Sequence, residues 1–101
     1  MELENLLERT KETLAEQGLT ILDVEWFGTT DYEYICDLQD LLNVDYDDSV
    51  GSPEVDIDFI LVGKDFWLER HEYDGSEWWE FKRLPKRPSE FGPAKKITTN
   101  L

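Results

Sequence analysis

A chain of 101 residues supports one domain with a single modest core. Its 40% hydrophobic and 13% aromatic content excludes a disordered acidic chain. The formal net charge of -14 disfavours direct binding of nucleic acid or of an anionic membrane, and favours a basic protein surface as partner. Self-repulsion of this size opposes folding, so the charge is a candidate functional feature; plain solubility is the competing explanation. The single cysteine, Cys36, excludes an internal disulfide and suits a reducing compartment. The opening stretch MELENLLERT is acidic and amphipathic, unlike a signal peptide, and no apolar run reaches membrane-spanning length. The expectation is a soluble, intracellular protein with no cofactor.

Charge is unevenly placed. Residues 1–60 hold 17 acids and 2 bases, net -15, whereas residues 61–101 hold 7 acids and 8 bases, net +1. The last twenty residues carry six bases and one acid. The tail is therefore basic, free to fold back on the acidic part or to stay apart from it.

Leu3, Leu6, Leu7, Thr10 and Leu14 recur at helical spacing and predict a helix over Glu2–Gln17. Glu8, Glu12 and Glu16 form a like-charged row on its wet side. Gly18 is placed to end it in a left-handed turn. Thr20–Phe27 alternates, which predicts a strand with Leu22, Val24 and Trp26 inward. Tyr32–Asn43 admits two readings. The favoured one is a short strand over Tyr32–Ile35, then a helix capped by Asp37 with Leu38, Leu41 and Leu42 as its apolar face. The other is one helix over 31–42. Val44–Val55 reads as a loop, broken by Gly51 and Pro53.

Asp58–Arg83 is the organising stretch. Turn signals at Gly63-Lys64-Asp65 and Asp74-Gly75 cut it into three aromatic-rich runs, a three-stranded antiparallel meander. A two-residue Asp74-Gly75 turn sets Leu68 opposite Phe81, Arg70 opposite Trp79 and Glu72 opposite Glu77. Phe66, Leu68, Trp79 and Phe81 then share the core face, beneath the first helix, with Arg70 over the Trp79 ring. Trp67, Glu69, His71, Trp78 and Glu80 share the other face, where Glu69 opposite Glu80 is an unfavourable pair. That face is either a protein-binding patch or is covered by the 37–43 helix or the tail. Pro85, Pro88 and Pro93 mark residues 85–101 as an extended basic tail outside a domain of residues 1–84. The fold class expected is α+β, with the N-terminal helix packed on a mostly antiparallel sheet of four or five strands.

Asp45, Asp47, Asp48, Glu54, Asp56 and Asp58 crowd into fourteen residues. Set against an EF-hand loop, Val50 stands where the turn needs glycine and Asp56 where a bidentate Glu belongs, which speaks against calcium. Two readings remain: a solvated acidic loop, and a row of carboxylates spaced like phosphates for a basic groove. His71 is the lone histidine, and no nucleophile or phosphate-loop motif accompanies Glu69 and Glu80, so no enzyme is expected.

Leu61–Pro88 resembles a family of small acidic proteins carried by phages and prophages of Gram-positive bacteria. Trp67-Leu68-Glu69-Arg70 and Tyr73-Asp74-Gly75-Ser76-Glu77-Trp78-Trp79 carry the resemblance. It implies a mobile-element setting and no catalytic residues. Small acidic proteins of that setting often block host nucleic-acid enzymes, CRISPR nucleases among them. The leading expectation is a non-enzymatic, DNA-mimic or anti-CRISPR-like inhibitor. Its partner-binding residues would be Asp45, Asp47, Asp48, Glu54, Asp56, Asp58, Trp67, Glu69, Trp78 and Glu80. The alternatives are an immunity or antitoxin-like partner of a toxin nuclease, and a structural or regulatory homo-oligomer joined through the tryptophan face. A hydrolase using Glu69, His71 and Glu80 would need a pocket around them.

Overall fold

The turn chemistry sets the frame. In a computed structural model, which describes residues 3–47 and 53–98, Asp74 and Gly75 both take positive φ, 50° and 88°. Asp-Gly tolerates that conformation, and it matches the twist of the strands it joins. Strand β5 (Phe66–Tyr73) and strand β6 (Ser76–Arg83) therefore pair without a slip, from Phe66 opposite Arg83 to Tyr73 opposite Ser76. The predicted partners Leu68–Phe81, Arg70–Trp79 and Glu72–Glu77 are all present. Strand β4 (Ile60–Gly63) completes the meander on the other side of β5. A Cβ on Gly63 would lie 2.0 Å from the Phe66 ring, so the β4–β5 turn closes only on glycine.

Strand β2 (Val24–Gly28) adds a fourth antiparallel strand, in the order β2-β4-β5-β6. The predicted strand begins four residues earlier, at Thr20, and the difference has a local cause. Thr20 and Asp23 form a capping box, with the Thr20 N–H donating to Asp23 Oδ2 at 2.8 Å. This winds Ile21–Asp23 into a 3-10 turn and leaves Leu22 91% exposed rather than inward. A bulge between Val24 and Trp26 then breaks the alternation. Val24 and Phe27 pack against the core, and Trp26, expected inward, falls in the cross-strand row Trp26–Val62–Trp67–Lys82 on the opposite face.

Helix α1 spans Leu6–Ala15, so residues 3–5 and 16–17 of the predicted Glu2–Gln17 fall outside it, while Glu2 lies outside the described residues. Asn5 caps it by accepting the Glu8 N–H, and Glu4–Asn5 forms β1, a two-residue strand against β3 (Asp45–Tyr46). Leu3, read as part of the helical stripe, is exposed. The C-terminal end follows expectation: Gly18 has φ 73°, Gly18 N–H donates to the Ala15 carbonyl and Leu19 N–H to the Leu14 carbonyl. That pair of bonds is the Schellman arrangement. Helix α2 (Leu38–Leu42) starts at the Asp37 cap, whose side chain accepts the Asp40 N–H. Tyr32–Ile35 holds only a single bridge, Gly28–Glu33, in place of the expected strand. Asp45–Tyr46, read as loop, is β3.

Leu6, Leu14, Leu42, Tyr46, Phe59, Leu61, Phe66, Leu68 and Trp79 make the core, between α1 and one face of the four-stranded sheet. The row Phe27–Leu61–Leu68–Phe81 crosses all four strands on that face. Each fully buried leucine contributes about 1.5–3 kcal/mol. Thr10, at an apolar position of α1, accepts the Trp79 indole N–H at 2.7 Å and so joins helix to sheet. The protein is an α+β fold. Residues 84–98 are exposed and hold no helix or strand, with Phe91 and Ile97 facing solvent. Among the described residues, no helix is long and apolar enough to cross a membrane.

Candidate protein-binding face

Beneath the core face lies a buried ion pair. Arg70 and Glu77 are diagonal neighbours on β5 and β6, and their side chains are each 1% exposed. Arg70 Nη2 donates to Glu77 Oε1 at 2.8 Å. The guanidinium stands 4.9 Å from the Trp79 ring centroid and 5.3 Å from that of Tyr46. Glu77 also accepts the backbone N–H groups of Glu54 (2.7 Å) and Val55 (3.1 Å). One carboxylate thus holds the sheet, a buried cation and the exit of the acidic loop. The sequence places Arg70 and Glu77 on one face by register, and that shared face was the available signal for the pair.

The acidic stretch is only partly a display of charge. Asp45 accepts the Asn5 side-chain N–H at 3.0 Å within the β1–β3 pair. Asp47 is buried, 3% exposed, and its N–H donates to Glu54 Oε2. Asp56 Oδ1 accepts the Asp58 N–H, and the Asp56 carbonyl accepts the Phe59 N–H, which closes a turn. Asp45, Glu54, Asp56 and Asp58 remain exposed, while Asp48 lies outside the described residues. Asp47 does not belong to an outward row of carboxylates. Among the described residues, no group of three or more His, Cys, Asp or Glu is arranged to hold a metal ion.

Among the described residues, no helix packs over the other face of the sheet, which is open. Helix α2 packs beside α1, and the residues from Leu84 onward are exposed, so neither covers it. Trp26, Ile60, Val62, Trp67, Glu69, His71, Glu80 and Lys82 are half-buried there, and Trp78 is 38% exposed. Glu69 stands directly opposite Glu80. Each carboxylate is held by the tryptophan two residues before it. Trp67 Nε1–H donates to Glu69 Oε1 at 2.7 Å, and Trp78 Nε1–H to Glu80 Oε2 at 2.8 Å. The sequence writes this unit twice, as Trp67-Leu68-Glu69 and Trp78-Trp79-Glu80. Because β5 and β6 are antiparallel, the two tryptophans flank the carboxylate pair from opposite ends. His71 Nε2 lies 2.7 Å from Glu69 Oε2 and is a second partner of that carboxylate. The Trp67 N–H first, then the His71 bond, hold the Glu69 carboxyl below its ordinary range. Four of the ten expected binding residues, Trp67, Glu69, Trp78 and Glu80, are therefore brought together on one surface, and the acidic loop belongs to another part of the molecule.

The chain matches no protein-family model, no curated protein and no solved structure.

Proposed function

We propose that the protein is a non-enzymatic acidic inhibitor that binds a basic, nucleic-acid-handling protein in the cytoplasm of a bacterial host. One observation carries the reading: the open sheet face presents two tryptophans locked to two carboxylates that face each other with like charge. A fold with no task for that face gains nothing from an uncovered Trp78 beside the Glu69–Glu80 repulsion. The net charge of -14 adds long-range steering toward a basic surface. Exposed Asp45, Glu54, Asp56 and Asp58 extend the negative field, and Asp47 serves structure instead. The same repulsion between copies disfavours self-association through this face.

The test is capture from nuclease-treated host lysate, with low-salt and then high-salt elution and mass spectrometry. The recovered nucleic-acid enzyme is then assayed for DNA or RNA binding with and without the purified protein. The expected result is salt-sensitive capture and loss of nucleic-acid binding by the enzyme. Capture of an enzyme whose nucleic-acid binding is unchanged, or recovery of the bait alone, defeats the proposal.

A further inference from the structure

The two Trp-x-Glu units do more than colour a surface acidic. Glu69 and Glu80 are a direct cross-strand pair, so their Cβ atoms stand about 4.5–5.5 Å apart. Trp67 lies two residues to one side of the pair and Trp78 two residues to the other, each about 7 Å along the strand direction. The arrangement has a local two-fold relation normal to the sheet. Both carboxylates are already fixed by indole N–H groups, so they lose little rotamer freedom when a cation arrives. His71 Nε2 already lies 2.7 Å from Glu69 Oε2, and the charge of Lys82, opposite Trp67 and diagonal to Glu69, also acts on that carboxylate, though among the described residues Lys82 forms no direct ion pair with either glutamate.

Resting on the function proposed above, we infer that the Trp67–Glu69/Trp78–Glu80 pair is a seat for one arginine side chain of the basic partner. A guanidinium is planar, carries donors along two edges and stacks on an aromatic face, so it spans two opposed carboxylates while lying against an indole. A lysine ammonium is a compact, strongly hydrated point charge that satisfies one carboxylate and stacks poorly. The seat therefore selects arginine over lysine. Charge complementarity and the paired geometry argue for this occupant.

The experiment follows the indole N–H resonances of the full-length protein by NMR during titration with a short Gly/Ser peptide carrying two arginines. Matched lysine and citrulline peptides serve as controls. The arginine peptide should shift Trp67 and Trp78 saturably and leave the buried Trp79 indole, hydrogen-bonded to Thr10, in place as a reporter of intact folding. The lysine peptide should bind roughly ten-fold more weakly, and Glu69→Gln or Glu80→Gln should weaken the arginine peptide by a similar factor. Equal binding of the arginine and lysine peptides, or no shift at Trp67 and Trp78, overturns the seat. If Lys86→Ala/Arg87→Ala moves those two resonances with no peptide present, the chain's own tail is the occupant and the inference fails. Full inhibition of the captured enzyme by Glu80→Gln overturns the seat and leaves the proposed function standing. Arginine-selective binding by a protein that inhibits nothing keeps the seat and overturns the proposed function.

Discussion

Replacing Glu77 with alanine should be the most damaging single truncation in the sheet. The substitution removes three acceptor contacts at once: Arg70 Nη2 at 2.8 Å, the Glu54 N–H at 2.7 Å and the Val55 N–H at 3.1 Å. It also strands the Arg70 charge, whose side chain is 1% exposed and whose Nε and Nη1 have no hydrogen-bond partner among the described residues. Breaking a buried pair by removing one partner destabilises by about 3–5 kcal/mol, because the remaining charge keeps its desolvation penalty. The lost backbone acceptors add to this without summing independently. Against a total stability of about 5–15 kcal/mol, that is a large fraction. Urea unfolding followed by far-UV circular dichroism should show a midpoint lowered by about 2–3 M, for a slope near 1.5 kcal/mol per M. The double variant Arg70→Met/Glu77→Leu should be markedly more stable than the sum of the single losses predicts, since it leaves no orphan charge. A loss below about 1 kcal/mol for Glu77→Ala, or simple additivity in the double variant, would refute the reasoning.

Thr10→Val keeps the shape of the side chain but removes the acceptor of the Trp79 indole N–H, and should destabilise by about 1–3 kcal/mol in the same unfolding assay. Gly63→Ala should lose about 1–3 kcal/mol, because the added Cβ meets a Phe66 ring that is itself stacked on Phe81 at 5.5 Å and has nowhere to retreat; an unchanged melting temperature would contradict the contact. Glu69, lowered from its ordinary 4.5 by the Trp67 N–H and then His71, binds fewer protons when folded than when unfolded. Its stabilising contribution is therefore present above 4.5 and lost as pH falls through the lower folded value. Acidification followed at the Trp67 indole N–H should give a midpoint below 4.5, and Glu69→Gln should abolish the transition; a midpoint at or above that value would be inconsistent with the hydrogen bonding described.

Much of the fold is legible in local sequence. Asp74-Gly75 supplies the positive φ that a two-residue turn requires, and from that turn the whole β5–β6 register follows, including which aromatic residues share the core face. Gly18 ends α1 and Asp37 starts α2 because their requirements involve only residues within one turn. That Trp67, Glu69, Trp78 and Glu80 share one face was readable for the same reason, whereas the sequence left open both an uncovered and a covered face. Errors arose where a local pattern has two outcomes. Thr20–Asp23 alternates like a strand, yet its capping box closes a 3-10 turn. Leu3 continues a helical stripe, yet Asn5 caps the helix and Glu4–Asn5 pairs with Asp45–Tyr46, about forty residues away.

Turn positions, apolar periodicity, helix caps and the charge asymmetry are thus properties of the chain by itself, since each depends on neighbours a few residues apart. Only the tertiary structure decided that Asp47 turns inward, that Trp26 crosses to the open face at a bulge, and that Glu77 ties Arg70 to the acidic loop. Those outcomes depend on segments far apart in sequence competing for the same buried volume and the same hydrogen-bond partners. No local preference encodes the result of that competition.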